Sequence, residues 1–315
     1  AVFASYLIRF RVDQIIADPF FIGYVLKSNS WKEFIKSSIG GSAQPGINAN
    51  VLSRFDLLLP PLPIQHRIVE ILSALDDKIE LNRQTNATLE AIAQAIFKEW
   101  FVDFNFPGAT GELVESELGM IPKGWRIGSV AEILILANET VSPGGNPDKL
   151  FYHYSIPAFD SGRVPSQELG STILSNKYKV KSNSILVSKL NPQIPRVWPL
   201  KEVNQESSVC STEFQVLLPK KAHYYSFAAN LFSQKSMIDT MKSRASGTSG
   251  SHQRIIPQDI LDINIIIPND DLLALFDEIV GNYYHCIING LEESVILAKI
   301  RDSLLPKLMN GEIEV

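Results

Sequence analysis

The sequence predicts an α+β protein in which mixed globular regions are joined by two long helices. Three observations predict it. From 60 to 104, apolar residues fall at Ile64, Ile68, Ile71, Leu75 and Ile79, then at Leu89, Ile96 and Trp100, in steps dominated by three and four. That is a heptad seam and not the period-two alternation of a strand. Leu272, Phe276, Ile279, Tyr283, Cys286, Leu297, Ile300 and Leu304 repeat the pattern near the other end. Each seam follows an apolar run and a proline: Leu57-Leu58-Leu59-Pro60 and Ile265-Ile266-Ile267-Pro268, with the prolines 208 residues apart. At that same offset Ile47 matches Ile255, Leu52 matches Ile260 and Asp56 matches Asn264, so the chain contains an internal repeat that ends each time in a long helix. A helix of about 40 residues would be roughly 60 Å long and could not bury its seam alone. Each long helix is therefore expected to use the other as its partner.

In chain order, residues 5–12 read as a strand and 20–35 as a helix. A Gly/Ser loop follows at 39–46, then a short helical turn at 50–54 and a strand at 55–59. Pro60, Pro61 and Pro63 suit the start of the first long helix, because proline is tolerated only where an amide would have no helical partner. Asn82 and Asn86 fall on its seam, where polar residues weaken packing but fix register. Pro107, Gly108 and Gly111 open an acidic linker to Met120. A second globular region begins at Pro122-Lys123-Gly124-Trp125, with strands expected at 149–155, 184–189 and 212–218 and a helix at 224–244. Its loops are expected at 142–147, 191–199 and 246–252. About 90 residues of this region have no counterpart in the first half, so the chain is expected to begin partway through its first domain.

Composition narrows the class. The chain has 315 residues, is 45% hydrophobic and has a net charge of −5. It has no run of 18 apolar residues and no signal-like start, so a cytoplasmic location is expected. Cys210 and Cys286 are too few for a disulfide framework or a cysteine zinc site. His66, His153, His223, His252 and His285 have no metal-ligand spacing. Asp18-Pro19-Phe20-Phe21 is similar to the Asp-Pro-Pro-Phe box of amino-methyltransferases but lacks the second proline, and no Gly-rich cofactor loop accompanies it. Asp76-Asp77-Lys78 has nuclease-like letters but lies mid-helix, where a solvated face is the simpler reading. No catalytic constellation emerges.

The charge is unevenly spread. No acid occurs between Leu169 and Lys201, where Lys177, Lys179, Lys181, Lys189 and Arg196 lie, nor from Thr240 to Gln258, where Lys242, Arg244 and Arg254 lie. Polar and basic clusters fall on loops: Ser188 to Pro192, Arg196-Val197-Trp198, Cys210 to Phe214, and Ser246 to Arg254. Arg, Lys, Asn and Gln read base edges, and Ser and Thr bind phosphate, so these loops suit a DNA reader. The candidate DNA-contacting residues are Lys189, Asn191, Arg196, Gln253 and Arg254, with Lys177, Ser249 and His252 behind them. Gln44 and Asn48 occupy the analogous loop of the first half.

Several stretches resemble the specificity subunits of type I restriction-modification enzymes. They are Leu59-Pro60-Pro61-Leu62-Pro63-Ile64-Gln65-His66-Arg67-Ile68, Ala95 to Phe101, Gly119-Met120-Ile121-Pro122-Lys123-Gly124-Trp125, and Leu304 to Ile313. Tyr154 to Asp160, Ser188 to Pro192, Arg196 to Trp198, Cys210 to Phe214 and Gly247 to Arg254 resemble one branch of that family. The resemblance implies target-recognition domains that each read half of a split DNA site, joined by two helices that pair as an antiparallel coiled coil. It implies segments at 1–62 (the C-terminal part of a first target-recognition domain), 63–104 (first spacer helix), 105–121 (linker), 122–269 (second target-recognition domain), 270–309 (second spacer helix) and 310–315 (tail). It also implies a non-catalytic chain without a cofactor of its own. Its partners would be double-stranded DNA, methyltransferase subunits that carry S-adenosylmethionine, and restriction-translocase subunits that use ATP and Mg. A truncated, inactive subunit, a half-type subunit that homodimerises, and a coiled-coil scaffold without DNA binding are the other readings.

Overall fold

Three short helices precede the first long one: α1 (Pro19–Val25), α2 (Asn29–Ser38) and α3 (Ala49–Leu52), followed by α4 (Leu62–Phe101). Then come β1 (Leu113–Ser116), β2 (Gly119–Pro122), β3 (Arg126–Ser129), α5 (Val130–Ile133), β4 (Leu134–Leu136), β5 (Thr140–Val141), β6 (Leu150–Tyr154) and α6 (Ile156–Asp160). Next are β7 (Ser166–Leu169), β8 (Lys177–Lys179), β9 (Ser184–Ser188), β10 (Val197–Leu200), β11 (Ser208–Cys210) and β12 (Phe214–Pro219). The chain ends with α7 (Tyr225–Leu231), α8 (Lys235–Arg244), α9 (Pro257–Leu261), β13 (Asn264–Ile267) and α10 (Asp270–Met309). The computed structural model describes residues 7–39, 47–246 and 253–315. They form two units, Ala1–Gln84 with Glu292–Val315, and Thr85–Leu291.

The first unit is built on the start of α4. The carbonyl of Pro61 accepts from the amides of Ile64 (2.9 Å) and Gln65 (3.1 Å), which closes the first turn. Gln65 is fully buried. Its Oε1 accepts from the amide of Asp18 at 2.8 Å, and its Nε2 donates to the carbonyls of Ile16 (3.0 Å) and Pro60 (2.7 Å). One side chain thus ties the segment before α1 to α4. Asp18 in turn caps α1, accepting from the amides of Phe20 (2.7 Å) and Phe21 (3.0 Å), with Pro19 in the first turn. The Asp18-Pro19-Phe20-Phe21 motif is a helix cap. Phe21, Tyr24 and Val25 pack with Ile68 and Leu72 of α4 and with Leu305 and Leu308 of α10.

Asp76, the first of the nuclease-like letters, joins the same three helices. Its Oδ2 accepts from the Tyr24 hydroxyl at 2.9 Å and its Oδ1 from Arg301 Nη1 at 2.5 Å. Burial disfavours its charge, but the hydrogen bonds from Arg301 and Tyr24 outweigh that and hold the carboxyl below its ordinary value. Nearly two turns further on, Asn82 accepts from Lys78 Nζ (3.0 Å) and donates to Glu293 Oε2 (2.8 Å).

In the second unit Asn86 Nδ2 donates to the Ile287 carbonyl at 3.2 Å. A Cβ on Gly290 would stand 2.8 Å from Asn86 Oδ1, so glycine is what permits this close helix approach. In each unit, rising numbers on α4 meet falling numbers on α10: Asp76 with Arg301 and Asn82 with Glu293 in one, Asn86 with Ile287 and Phe97 with Phe276 in the other. The two helices pair antiparallel. Phe97, Phe101, Phe227 and Phe276 form an aromatic knot in the second unit, with Phe101 4.9 Å from Phe276 and 5.0 Å from Phe227 between ring centroids.

Two sheets carry the rest of that unit. An antiparallel sheet has the order β10-β9-β12-β4, and a mixed sheet the order β5-β8-β11-β6-β7, in which only β11 and β6 run parallel. All five residues of β9 are buried, Ile185, Leu186 and Val187 with a serine at either end. β13 pairs with β3, Ile265 opposite Gly128 and Ile267 opposite Arg126. The strands expected at 149–155, 184–189 and 212–218 are present as β6, β9 and β12.

Four expectations require correction. Residues 7–12 form no strand, and the remainder of that stretch lies outside the described residues. The helix expected at 20–35 is broken, because Ser28 turns extended and its Oγ accepts from the Trp31 amide at 3.3 Å, which starts α2 afresh. Residues 55–59 are not a strand. β13 has β3 to pair with, whereas 55–59 has no ladder partner among the described residues, and Leu58 is 67% exposed. The helix expected at 224–244 divides after Leu231, because Gln234 turns extended and α8 starts afresh from it.

Two outcomes follow. Gln65→Leu strands three backbone groups and should cost the first unit at least about 2 kcal/mol, read as faster amide exchange across 16–24. Because the folded carboxyl of Asp76 lies below its ordinary 3.8, its contribution is complete above that value and is lost as pH falls below it through the folded value. Asp76→Asn should therefore weaken the first unit at pH 7 by about 1.5–3 kcal/mol and narrow its difference from wild type in acid, measured by denaturant unfolding at both pH values.

Candidate nucleic-acid interface

Three loops of the second unit meet at one end of the antiparallel sheet. The first, 189–196, links β9 to β10, the second, 211–213, links β11 to β12, and the third ends at Gln253 and Arg254. The amide of Lys189 donates to the Glu213 carbonyl (2.9 Å), and the Lys189 carbonyl accepts from Ile255 (3.1 Å). Arg254 and Ser246 exchange both backbone bonds, at 2.9 and 3.0 Å. Asn191 has φ +49°, the left-handed region that asparagine tolerates better than most residues. Its amide donates to the Gln253 carbonyl (2.8 Å) and its Oδ1 accepts from the Gln253 amide (3.2 Å).

Each arginine of this face is held by a carboxylate. Arg196 donates from Nε to Asp160 Oδ1 (2.8 Å) and from Nη2 to Asp160 Oδ2 (2.9 Å). Its side chain is only 11% exposed, and its buried Nη1 has no hydrogen-bond partner among the described residues. The hydrogen bonds from Arg196 hold the Asp160 carboxyl below its usual range. Arg254 donates from Nε and Nη2 to Glu213 at 2.9–3.2 Å, and its side chain is 44% exposed.

The structure brings together Lys189, Asn191, Gln253 and Arg254 and sets Arg196 at the far end of the same loop. Lys189 is half-buried and makes no ion pair among the described residues. Asn191 uses its carbonyl to hold the loops, and Arg196 is largely enclosed. Lys177 lies apart: it is 8% exposed, its ammonium donates to the Ser175 carbonyl (3.1 Å) and hydroxyl (2.6 Å), and burial pushes its pKa down. Asn48 is the cap of α3, accepting from the Val51 amide at 3.0 Å. Gln44, Ser249 and His252 lie outside the described residues. The carboxylates Asp160 and Glu213 were not singled out by sequence, although both fall in stretches that carried the family resemblance.

The remaining titratable groups have structural settings. His153 Nδ1 lies 3.1 Å from Glu168 Oε1 in the mixed sheet, and burial pushes the imidazole pKa down. Burial pushes the Cys210 thiol up to about 12, which leaves it unreactive at neutral pH. Among the described residues no three His, Cys, Asp or Glu side chains are grouped to hold a metal ion.

Residues 1–91 match the family model described as the type I restriction modification DNA specificity domain. The chain is similar to the MjaIX specificity subunit of Methanocaldococcus jannaschii, with 30% identity across 94% of this chain and 69% of that protein. It is also similar to the HindI specificity subunit of Haemophilus influenzae, with 25% identity across 94% of this chain and 77% of that protein. Among solved structures, the type I restriction-modification S subunit from M. genitalium shares the fold, with a TM-score of 0.51 and 17% identity over 94% of this chain and 74% of that one.

The two carboxylate–arginine pairs should differ in weight. Asp160→Ala leaves an enclosed guanidinium without its partner and should lower stability by about 1–2 kcal/mol. Glu213→Ala opens a solvent-screened pair and should cost under about 1 kcal/mol, both measured by denaturant unfolding.

Proposed function

The chain belongs to the family of type I restriction enzyme specificity subunits, and on that premise we propose that it reads DNA sequence for a multi-subunit enzyme and performs no chemistry of its own. The observation that carries this reading is the 30% identity to a specificity subunit over 94% of the chain. The stitched loops of the second unit support it locally, since they offer Lys189, Gln253 and Arg254 on a braced backbone. In this reading 122–269 is a target-recognition domain, and 1–62 is the C-terminal part of another. The chain holds methyltransferase and restriction-translocase subunits on a bipartite duplex site, in the cytoplasm. S-adenosylmethionine, ATP and Mg belong to those partners. Among the described residues no helix is long and apolar enough to cross a membrane.

The test is selection from a randomised duplex library by the chain co-expressed with its methyltransferase partner, at two salt concentrations. Enrichment of a defined site, with affinity falling steeply as salt rises, is the expected result. A palindromic site would mean that two copies assemble. No enrichment at either salt would sink the DNA-reading proposal.

A further inference from the structure

The two arginines of the loop face are held in the same way but exposed differently, and that difference assigns them different work. In both, a carboxylate occupies the side of the guanidinium formed by Nε and Nη2. In Arg196 the opposite nitrogen, Nη1, is buried, so its end cannot meet a ligand without the loop opening. In Arg254 the side chain is 44% exposed, and among the described residues its only side-chain partner is Glu213. The end of the Arg254 fork, Nη1 with the outer hydrogen of Nη2, is left with two parallel donors. Two parallel donors match the adjacent O6 and N7 acceptors that guanine, alone among the bases, presents in the major groove.

Both ends of this pair are anchored. The Arg254 backbone is fixed by two bonds to Ser246, and the Glu213 backbone by the amide of Lys189 at 2.9 Å. The Glu213 amide also donates to Ser211 Oγ at 3.2 Å. Arginine carries many rotamers, and fixing one before contact lowers the entropy lost on binding. From this geometry we infer that Arg254 is a guanine-reading residue and Glu213 the positioning residue that aims it, while Arg196 with Asp160 braces the loop and reads nothing. The inference rests on the DNA-reading function proposed above and names one base contact within it.

The experiment repeats the library selection with the methyltransferase-bound chain, comparing wild type, Arg254→Ala and Glu213→Gln. Wild type should require guanine at a position where Arg254→Ala accepts other bases, a loss of preference of roughly 5- to 150-fold, with the other positions unchanged. Placing 7-deazaguanine there should weaken wild type and leave Arg254→Ala indifferent. Glu213→Gln should lose part of the preference at the same position only, and combining it with Arg254→Ala should add nothing. Thermal unfolding of each variant separates misfolding from misreading, and Glu213→Gln keeps the test open should Arg254→Ala fold poorly. An unchanged site in both variants overturns the inference while leaving DNA reading intact. So does an equal loss across all positions with a shallower salt slope, which marks a phosphate contact. A wild-type chain that selects no sequence overturns the reading function and this contact together.

Discussion

An apolar stripe along a 40-residue helix cannot be left in water, and this chain has two such helices, α4 and α10. Burying Ile68 and Leu72 against Leu305 and Leu308 removes side chains from water that each contribute about 1.5–3 kcal/mol. Apolar seams alone would tolerate a slip of one heptad. Polar residues set the register: Asp76 with Arg301, Asn82 with Glu293 in one unit, and Asn86 against the Ile287 carbonyl beside Gly290 in the other. A slip would leave each of these groups without its partner at a cost of about 1–3 kcal/mol apiece. The glycine makes the arrangement stricter still, since only its missing Cβ leaves room for the Asn86 amide.

This explains what the sequence could convey. Heptads, prolines before helices and polar seam positions act locally or through a simple period, so α4, α10 and the roles of Asn82 and Asn86 were legible. Strands depend on a partner that the strand itself does not name. Residues 55–59 and 264–267 look alike, yet only the second pair with β3. The breaks at Ser28 and after Leu231 fall where a single residue, Ser28 or Gln234, turns extended, against the helical periodicity of its neighbours. The role of Gln65 was hidden for the same reason: its three bonds reach back to Ile16, Asp18 and Pro60.

The loop face shows the same division. Residue type and loop position brought Lys189, Gln253 and Arg254 into view, and the structure gathers them. What sequence could not supply was the carboxylate beside each arginine, because Asp160 lies 36 residues from Arg196 and Glu213 lies 41 from Arg254. Without those partners the two arginines looked equivalent. Burial then separates them, since the Arg196 side chain is 11% exposed and that of Arg254 44%, so only the second is open to a ligand.

A carboxylate at a DNA-facing surface has a cost that bears on how a reader works. On the proposed reading face Glu213 would repel approaching phosphates, which weakens the sequence-independent part of binding. It also partly neutralises Arg254, so that this guanidinium is a poor clamp for an isolated phosphate. Its remaining donors are best satisfied by paired acceptors at a fixed spacing, which the guanine edge provides and a wandering phosphate oxygen does not. In a chain of net charge −5, such pairing trades affinity for discrimination. That trade suits a subunit whose grip on DNA is shared with partners, because discrimination depends on the ratio of specific to non-specific binding and not on affinity alone.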